Sequence, residues 1–252
     1  GQTRNDIIKY CFENSKRIYI SPKISDIIIR GGTDINLFDS PLLLCRNSGL
    51  SFEQRLFKRI FDIVVSVIGL IILSPFMLII AAAIKIDDGG SIIYKQKRLT
   101  INGKEFFVYK FRSMIPNAEK NGVPQLATGS DSRITRVGKF LRKCRLDELP
   151  QLFNIIKGDM SVVGPRPERP ELTEKYEREM PEFKFRLKVK AGLTGYAQVT
   201  GVYDTTPYDK LKMDLMYIER YSMVMDLRII LMTIKTMISP GEMNSEADKE
   251  KY

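Results

Sequence analysis

The chain has 252 residues, 44% of them apolar, which suits one large domain or two small ones. Its 40 Lys+Arg against 30 Asp+Glu leave a formal charge of +10, which calls for an anionic partner: nucleic acid, an anionic lipid surface or a phosphate-rich substrate. There is no His and no Trp, so His-ligated metals, Ser-His-Asp chemistry and Cys-His chemistry are excluded, and catalysis falls to carboxylates, Lys, Arg and a hard cation. Cys11, Cys45 and Cys144 are scattered, show no metal-ligand spacing and imply no disulfide framework, which fits a reducing cytosolic face.

The chain opens at Gly1 on a polar stretch without a visible signal peptide, as expected of a processed or recombinant start or a piece of a longer protein. Residues 1–50 read as short alternating elements. DIIKYCFEN is helix-like, RIYISPKI and PLLLCRN are strand-like, and Gly31-Gly32 marks a turn. This pattern looks like the tail of an α/β domain.

A basic amphipathic lead-in, SFEQRLFKRIFD, then gives way to residues 63–84, which carry no charge. A run of ~22 apolar residues is long enough to span a bilayer, and it exceeds what a core helix ordinarily uses. Ser74-Pro75 interrupts it, and proline removes a backbone donor and clashes with the preceding turn, so a kink is expected there. Lys58 and Arg59 precede the run, and Lys85, Lys95, Lys97 and Arg98 follow it. Positive flanks prefer the cytoplasmic side, and here both flanks are positive. A bent helix entering and leaving one leaflet satisfies both flanks better than a straight span, which stays the alternative.

SIIYKQKRLT and KEFFVYKFRSM alternate like two strands around Ile101-Asn102-Gly103. MIPNAEKNGVPQLATGSDSRI reads as a polar loop, and helical spacing resumes over 136–160. EKYEREMPEFKFRLKV reads as a solvated charged helix, and residues 223–238 as a helix suited either to a membrane interface or to a core. The tail SPGEMNSEADKEKY is polar and expected to be disordered.

The densest group of chemically capable side chains is VGKFLRKCRLDELPQLFNIIKGDMSVVGPRPERPE. Asp147 and Glu148 stand just before Pro150, so the plain reading is a helix cap and a first-turn acid. Three features favour chemistry. Arg142, Lys143 and Arg145 lie immediately upstream, as an anion site requires. Adjacent helical side chains diverge by about 100°, so the two acids serve different purposes. Pro165 and Pro167 fix the backbone around Arg166, presenting a guanidinium fork suited to phosphate. Lys110-Phe111-Arg112 adds basic charge at a strand end, and Tyr196 sits in a Gly- and Thr-rich loop.

In this order, KRIFDIVVSVIGLIILSP, YKFRSM, LRKCRLDELPQLFNIIKGDMSVVGPRP and GLTGYAQVTG resemble the bacterial sugar transferase family, the monotopic polyprenyl-phosphate phosphoglycosyl transferases. The resemblance covers about residues 55–239. It implies a mostly α, α/β membrane-associated catalytic domain with a re-entrant helix at about 60–85 and interfacial amphipathic helices. Residues 1–54 would be the remnant of a Rossmann-like α/β domain, and 240–252 a polar tail. It further implies a covalent mechanism, with Asp147 attacking the β-phosphate of a UDP-sugar, UMP leaving, and polyprenyl phosphate collecting the phosphosugar. By the same resemblance Glu148 binds Mg²⁺, Arg112, Arg142, Arg145, Pro165 and Arg166 belong to the substrate site, and Ser74-Pro75 is the membrane break. The expected setting is the cytoplasmic face of the bacterial inner membrane, with membrane lipids as partners and a homodimer by analogy with larger members; the sugar and the polymer stay open.

Two other readings compete. A membrane-tethered nucleic-acid module would need a basic stripe with interleaved aromatics, whereas the basic residues here gather at the membrane flanks and around two acids, so no nucleic acid is expected. A non-catalytic scaffold leaves the acid–arginine cluster without a purpose.

Overall fold

A computed structural model describes residues 2–37, 40–45, 49–115, 131–201 and 205–238. The chain divides into two compact units, Gly1–Cys45 and Arg46–Tyr252.

The first unit holds helices α1 (Gln2–Glu13) and α2 (Ile24–Arg30), then an antiparallel hairpin of β1 (Thr33–Leu37) and β2 (Ser40–Leu44). Arg4 pairs with Asp26 at 2.7 Å, tying the helices together. The expected strand at 17–24 is absent. Residues 16–23 have no regular structure, because Pro22 supplies no donor and Lys23 gives its N–H to Asp26 at 2.8 Å to start α2. The described strands of this unit form one antiparallel hairpin.

The second unit opens with α3 (Phe52–Asp88). Ser51 starts it by a capping box: its hydroxyl accepts from the Gln54 N–H at 3.2 Å, and its own N–H donates to Gln54 Oε1 at 2.9 Å. Gly89, at φ +70°, ends it with a bond to the Lys85 carbonyl. Ser74 and Pro75 lie inside α3, with helical residues on both sides of them. Pro75 cannot donate to the Ile71 carbonyl four residues back, and the Ser74 hydroxyl donates to that carbonyl instead, at 3.0 Å. The serine thus satisfies the group that the proline frees, which matters most where water is scarce.

β3 (Ile93–Leu99) and β4 (Glu105–Phe111) form the expected hairpin, with Asn102 at φ 58° in its short 3₁₀ turn. Helical structure over 136–160 is broken into α4 (Arg136–Lys143), a 3₁₀ turn at Leu146–Glu148 and α5 (Gln151–Lys157). β5 (Ser161–Val163) follows, then α6 (Pro170–Glu179) and a 3₁₀ segment, Pro181–Lys188. The single solvated helix expected over 174–189 is therefore corrected. Pro181 forces Met180 out of helical geometry, to φ −148°, and Phe183 and Arg186 are buried. β6 (Gly192–Thr194) pairs in parallel with β5, and α7 (Tyr196–Thr200), α8 (Pro207–Glu219) and α9 (Met223–Ile238) complete the unit. Its core centres on Ile155, Met160, Val163, Leu211, Leu215 and Ile229.

Both halves of α3 dock on this unit. In the first half, Lys58 donates to the buried Asp226 of α9 at 2.6 Å, and Asp62 accepts from the Ser161 hydroxyl and the Val162 N–H, both at 2.9 Å. Arg59 donates to the Ile155 and Ile156 carbonyls near the C-terminus of α5, where a cation is favoured. In the second half, Ile80 and Ile84 pack with Phe111 and Leu141. Between them Ile71, Ile72, Leu78 and Ile79 are exposed, each by more than 60%. Among the described residues, α3 is the helix long and apolar enough to cross a membrane.

Candidate active site around Asp147 and Glu148

The two acids sit in the 3₁₀ turn Leu146–Glu148, entered from Arg145 in the left-handed region at φ 54°. α5 begins after Pro150, and neither this turn nor α5 has a side-chain cap. The capping explanation for Asp147 thus finds no hydrogen bond to support it. Asp147 is only 8% exposed, and the backbone hydrogen bond that its carboxyl accepts comes from its own N–H.

Glu148 is held from two directions. Lys110 on β4 donates to its Oε1 at 2.7 Å, and Arg166, in the turn after β5, donates to the same oxygen at 3.2 Å. Burial works to raise the Glu148 pKa, but the Arg166 and Lys110 charges outweigh it and hold the carboxyl at about 2. Asp147 goes the other way: burial raises its pKa and the adjacent Glu148 adds to this, against the opposing charges of Lys110 and Arg142. Lys110 itself is pushed down by burial and held up by Glu148, while Glu148 raises Arg166. Neighbouring carboxylates with environments that push them apart are the usual mark of divided chemical roles.

The turn carrying Arg166 is set by backbone packing. Gly164 donates to the Thr194 carbonyl and Gly192 to the Pro165 carbonyl, both at 2.9 Å. A Cβ on Gly192 would run into the backbone of Gly164, so this close approach of the two loops requires glycine. Pro165 is buried and Arg166 projects from it.

The structure brings together Asp147, Glu148 and Arg166, with Arg142 and Arg145 near enough for their charges to act on the acids. Arg112 has other partners: it pairs with Asp88 at the end of α3 and reaches the Ser91 hydroxyl at 3.4 Å, joining the second end of α3 to β4. In the sequence Lys110 is named only as part of the basic group at 110–112, with no role of its own. The signal for it is register, since Phe106 and Val108 point inward on β4 and Lys110 continues that face.

Among the described residues, no group of three or more His, Cys, Asp or Glu side chains is placed to cage a metal. A Mg²⁺ shared with phosphates needs fewer protein ligands, commonly one or two carboxylates. Both bonds described for Glu148 fall on Oε1, leaving Oε2 toward that role, so the acidic pair fits a cation held jointly with a phosphate ligand.

The opposite shifts give opposite effects on stability. Asp147 has its folded pKa raised above the ordinary 3.8, so its contribution is favourable below that value and lost as pH rises through the folded pKa. Asp147→Asn should therefore raise the thermal midpoint at pH 7, with the gain vanishing below pH 3.8. Glu148 contributes above its ordinary 4.5 and loses this as pH falls toward about 2, so Glu148→Gln should lower the midpoint at pH 7. Thermal unfolding of both variants in detergent at pH 7 checks the pair of signs.

The family model for bacterial sugar transferases matches residues 53–240. A UDP-glucose:undecaprenyl-phosphate glucose-1-phosphate transferase of Klebsiella pneumoniae is 43% identical over 211 residues, which are 82% of this chain and 43% of that protein. A UDP-N-acetylgalactosamine-undecaprenyl-phosphate N-acetylgalactosaminephosphotransferase of Aeromonas hydrophila is 42% identical over 185 residues, 72% of this chain and 44% of that one. The exopolysaccharide production protein PSS of Rhizobium leguminosarum bv. phaseoli is 40% identical over 194 residues, 73% of this chain and 96% of its own length. The chain thus spans less than half the length of the first two relatives. With the match running through α3, the acidic pair and the Arg166 turn, this chain belongs to the bacterial sugar transferase family.

Proposed function

We propose that this protein transfers a sugar-1-phosphate from a UDP-sugar to a polyprenyl phosphate, releasing UMP, in the first membrane step of making a capsule, O-antigen or exopolysaccharide. The observation that carries this reading is the split between two adjacent carboxylates: Asp147 is buried and destabilised as an anion, while Glu148 is locked as one by Lys110 and Arg166. The names of the relatives, with UDP-sugar donors and undecaprenyl phosphate acceptors, support the substrate class.

The Asp147 carboxylate is the nucleophile. An ionised carboxylate needs no base, which suits a chain without His. A carboxylate oxygen bonds to the β-phosphorus of the UDP-sugar, and the bond from that phosphorus to the bridging oxygen breaks, so UMP leaves with the electron pair. The acyl phosphate now carries the sugar on Asp147. A polyprenyl phosphate oxygen then attacks the same phosphorus, the Asp147 carboxylate departs unchanged, and a polyprenyl diphosphate sugar results. The obstacle in both steps is repulsion between anions. Arg166 and Lys110 are held on Glu148 before any ligand arrives, and the Arg142 charge acts on Asp147; preorganised charge of this kind is usually the largest catalytic term. Glu148 would hold a Mg²⁺, which would supply further charge neutralisation at the phosphate site.

The enzyme should release UMP from at least one of UDP-glucose, UDP-galactose and their N-acetylamino counterparts when undecaprenyl phosphate and Mg²⁺ are present, and lose this on chelation. Chromatography of the nucleotide product decides it. UDP in place of UMP would mean transfer of the sugar without its phosphate and would overturn the reading.

The same proposal places α3 in the cytoplasmic leaflet of the inner membrane as a re-entrant helix. Its support is the docking of both halves on one unit, with the exposed apolar stretch between them, and the basic residues at both ends. The acceptor phosphate lies at the interface and the UDP-sugar in the cytosol, so a site on that face reaches both. Single cysteines at Glu53→Cys and Asp87→Cys, with Cys11, Cys45 and Cys144 replaced by Ser, should both resist an impermeant thiol reagent in intact cells and react after permeabilisation. Labelling of one of them alone from outside would establish a straight span.

A further inference from the structure

The turn that presents Arg166 is held in an unusual way. Four successive carbonyls each accept a hydrogen bond. Pro165 accepts from the Gly192 N–H at 2.9 Å, and Glu168 from the Leu99 N–H at 3.0 Å. The middle two are taken by side chains: the Arg166 carbonyl accepts from Arg186 Nη2, and the Pro167 carbonyl from Arg98 Nη1, both at 3.0 Å. Neither arginine is loose. Arg98 also donates twice to Gln96 Oε1, at 2.6 and 3.1 Å, and Arg186 pairs with the buried Asp214 of α8 at 2.8 Å. The Glu168 carboxylate lies 3.8 Å from Arg98 and 3.7 Å from Arg186, between the two guanidiniums.

These arginines are expensive to bury. The Arg186 side chain is 7% exposed and that of Arg98 16%. Burial, reinforced by the neighbouring Arg166 and Arg169 charges, brings Arg98 down to about 10 against the pull of Glu168, still protonated at neutral pH. Well-packed apolar side chains would fill the same space without that desolvation. What apolar residues cannot supply is N–H groups for carbonyls in a turn whose two prolines interrupt the backbone donors. Fixing those carbonyls fixes the Arg166 Cα, and through it the reach of a guanidinium that is 44% exposed and touches Glu148 at a single 3.2 Å contact.

We propose that Arg98 and Arg186 are positioning residues that clamp the Pro165–Pro167 turn, so that Arg166 keeps its place on Glu148 at the edge of the phosphate site. The proposal deepens the phosphotransfer reading and rests on it for what Arg166 does. A long basic side chain that bonds the turn of another basic residue explains why charge accumulates behind the site as well as within it.

The test is a double-mutant cycle with a substrate-independent arm. Arg98→Met should lower kcat/KM for the UDP-sugar by about tenfold when Arg166 is present, because small misplacements of a positioned charge are costly. In the Arg166→Ala background the same change should cost less than about twofold, since the group it positions is gone. If Arg98→Met does not fold, Arg98→Lys serves in its place: it retains a donor for the Pro167 carbonyl but not the second hold on Gln96, and its smaller loss should again be confined to the Arg166 background. In the second arm, hydrogen exchange followed by mass spectrometry on the full chain should show faster exchange of the Gly164 and Gly192 amides, whose bonds to the Thr194 and Pro165 carbonyls hold the turn, in the Arg98 variant, with Ser161–Val163 unchanged. Equal activity losses in both backgrounds, or unaltered exchange in the turn, would overturn the clamp. Should the unmodified enzyme release no UMP from any UDP-sugar, the phosphotransfer reading falls, and the exchange arm alone decides whether the arginines hold the turn.

Discussion

Glu148 accepts from Lys110 at 2.7 Å and from Arg166 at 3.2 Å, and these two contacts join three separate pieces of chain: strand β4, the 3₁₀ turn of the acids and the turn after β5. The contact organises more than geometry. Because the two cations are committed to Glu148, that carboxyl stays ionised far below its ordinary range, while its neighbour Asp147 bears the cost of burial with less relief. The asymmetry leaves the two adjacent acids in different electrostatic states: Glu148 is paired and held ionised, and Asp147 is buried with its pKa raised. Truncating one partner of a buried charged group leaves the rest uncompensated, at a cost of about 3–5 kcal/mol, so the arrangement behaves as a unit.

The same principle fastens α3. An apolar helix with an exposed middle has little reason to hold one orientation on a polar body, and its apolar residues alone would allow it to roll. Lys58 on Asp226 and Asp62 on Ser161 and Val162 remove that freedom through directional bonds at one end, and Arg112 on Asp88 does so at the other. Tyr217 adds its hydroxyl to Asp226 at 2.7 Å, so this buried carboxylate meets a cation and a donor together. Asp62 and Asp226 thereby link the membrane-competent helix to α9 and to β5, which leads directly into the Arg166 turn. Burial of ion pairs adds little to net stability, but it defines which faces meet.

Much of this was legible in the sequence. The β3–β4 hairpin announces itself through alternation and Asn102-Gly103, and α3 through its uncharged run between basic flanks. The acidic pair stands out because no helix needs two adjacent acids between so many arginines. What could not be read depends on contacts distant in sequence. Arg98 meets a carbonyl 69 positions away, and nothing local distinguishes it from Lys97, which is half-exposed and pairs with Glu105. The resemblance puts Arg112 in the substrate site, and its pairing with Asp88, at the end of α3 and separated from it in sequence by β3, could not be read locally. The segment 174–189 looked solvated by charge count alone, yet Arg186 is buried by its pairing with Asp214, and a charge run cannot reveal which of its members has a partner inside. RIYISPKI has strand-like residues but no neighbouring strand to satisfy them, and propensity does not supply one.

The central claim is that Asp147 itself becomes phosphorylated by the sugar phosphate. The most direct measurement is mass spectrometry of the intact enzyme and of its peptides after brief incubation with a UDP-sugar that it accepts, in the absence of polyprenyl phosphate. The account predicts about one equivalent of UMP per active site, a mass increase equal to one phosphosugar, loss of that adduct on adding undecaprenyl phosphate, and its location on the peptide containing Asp147. UMP formation that begins only when the acceptor is added, with no adduct on any peptide, would contradict it and point to direct transfer between the two substrates.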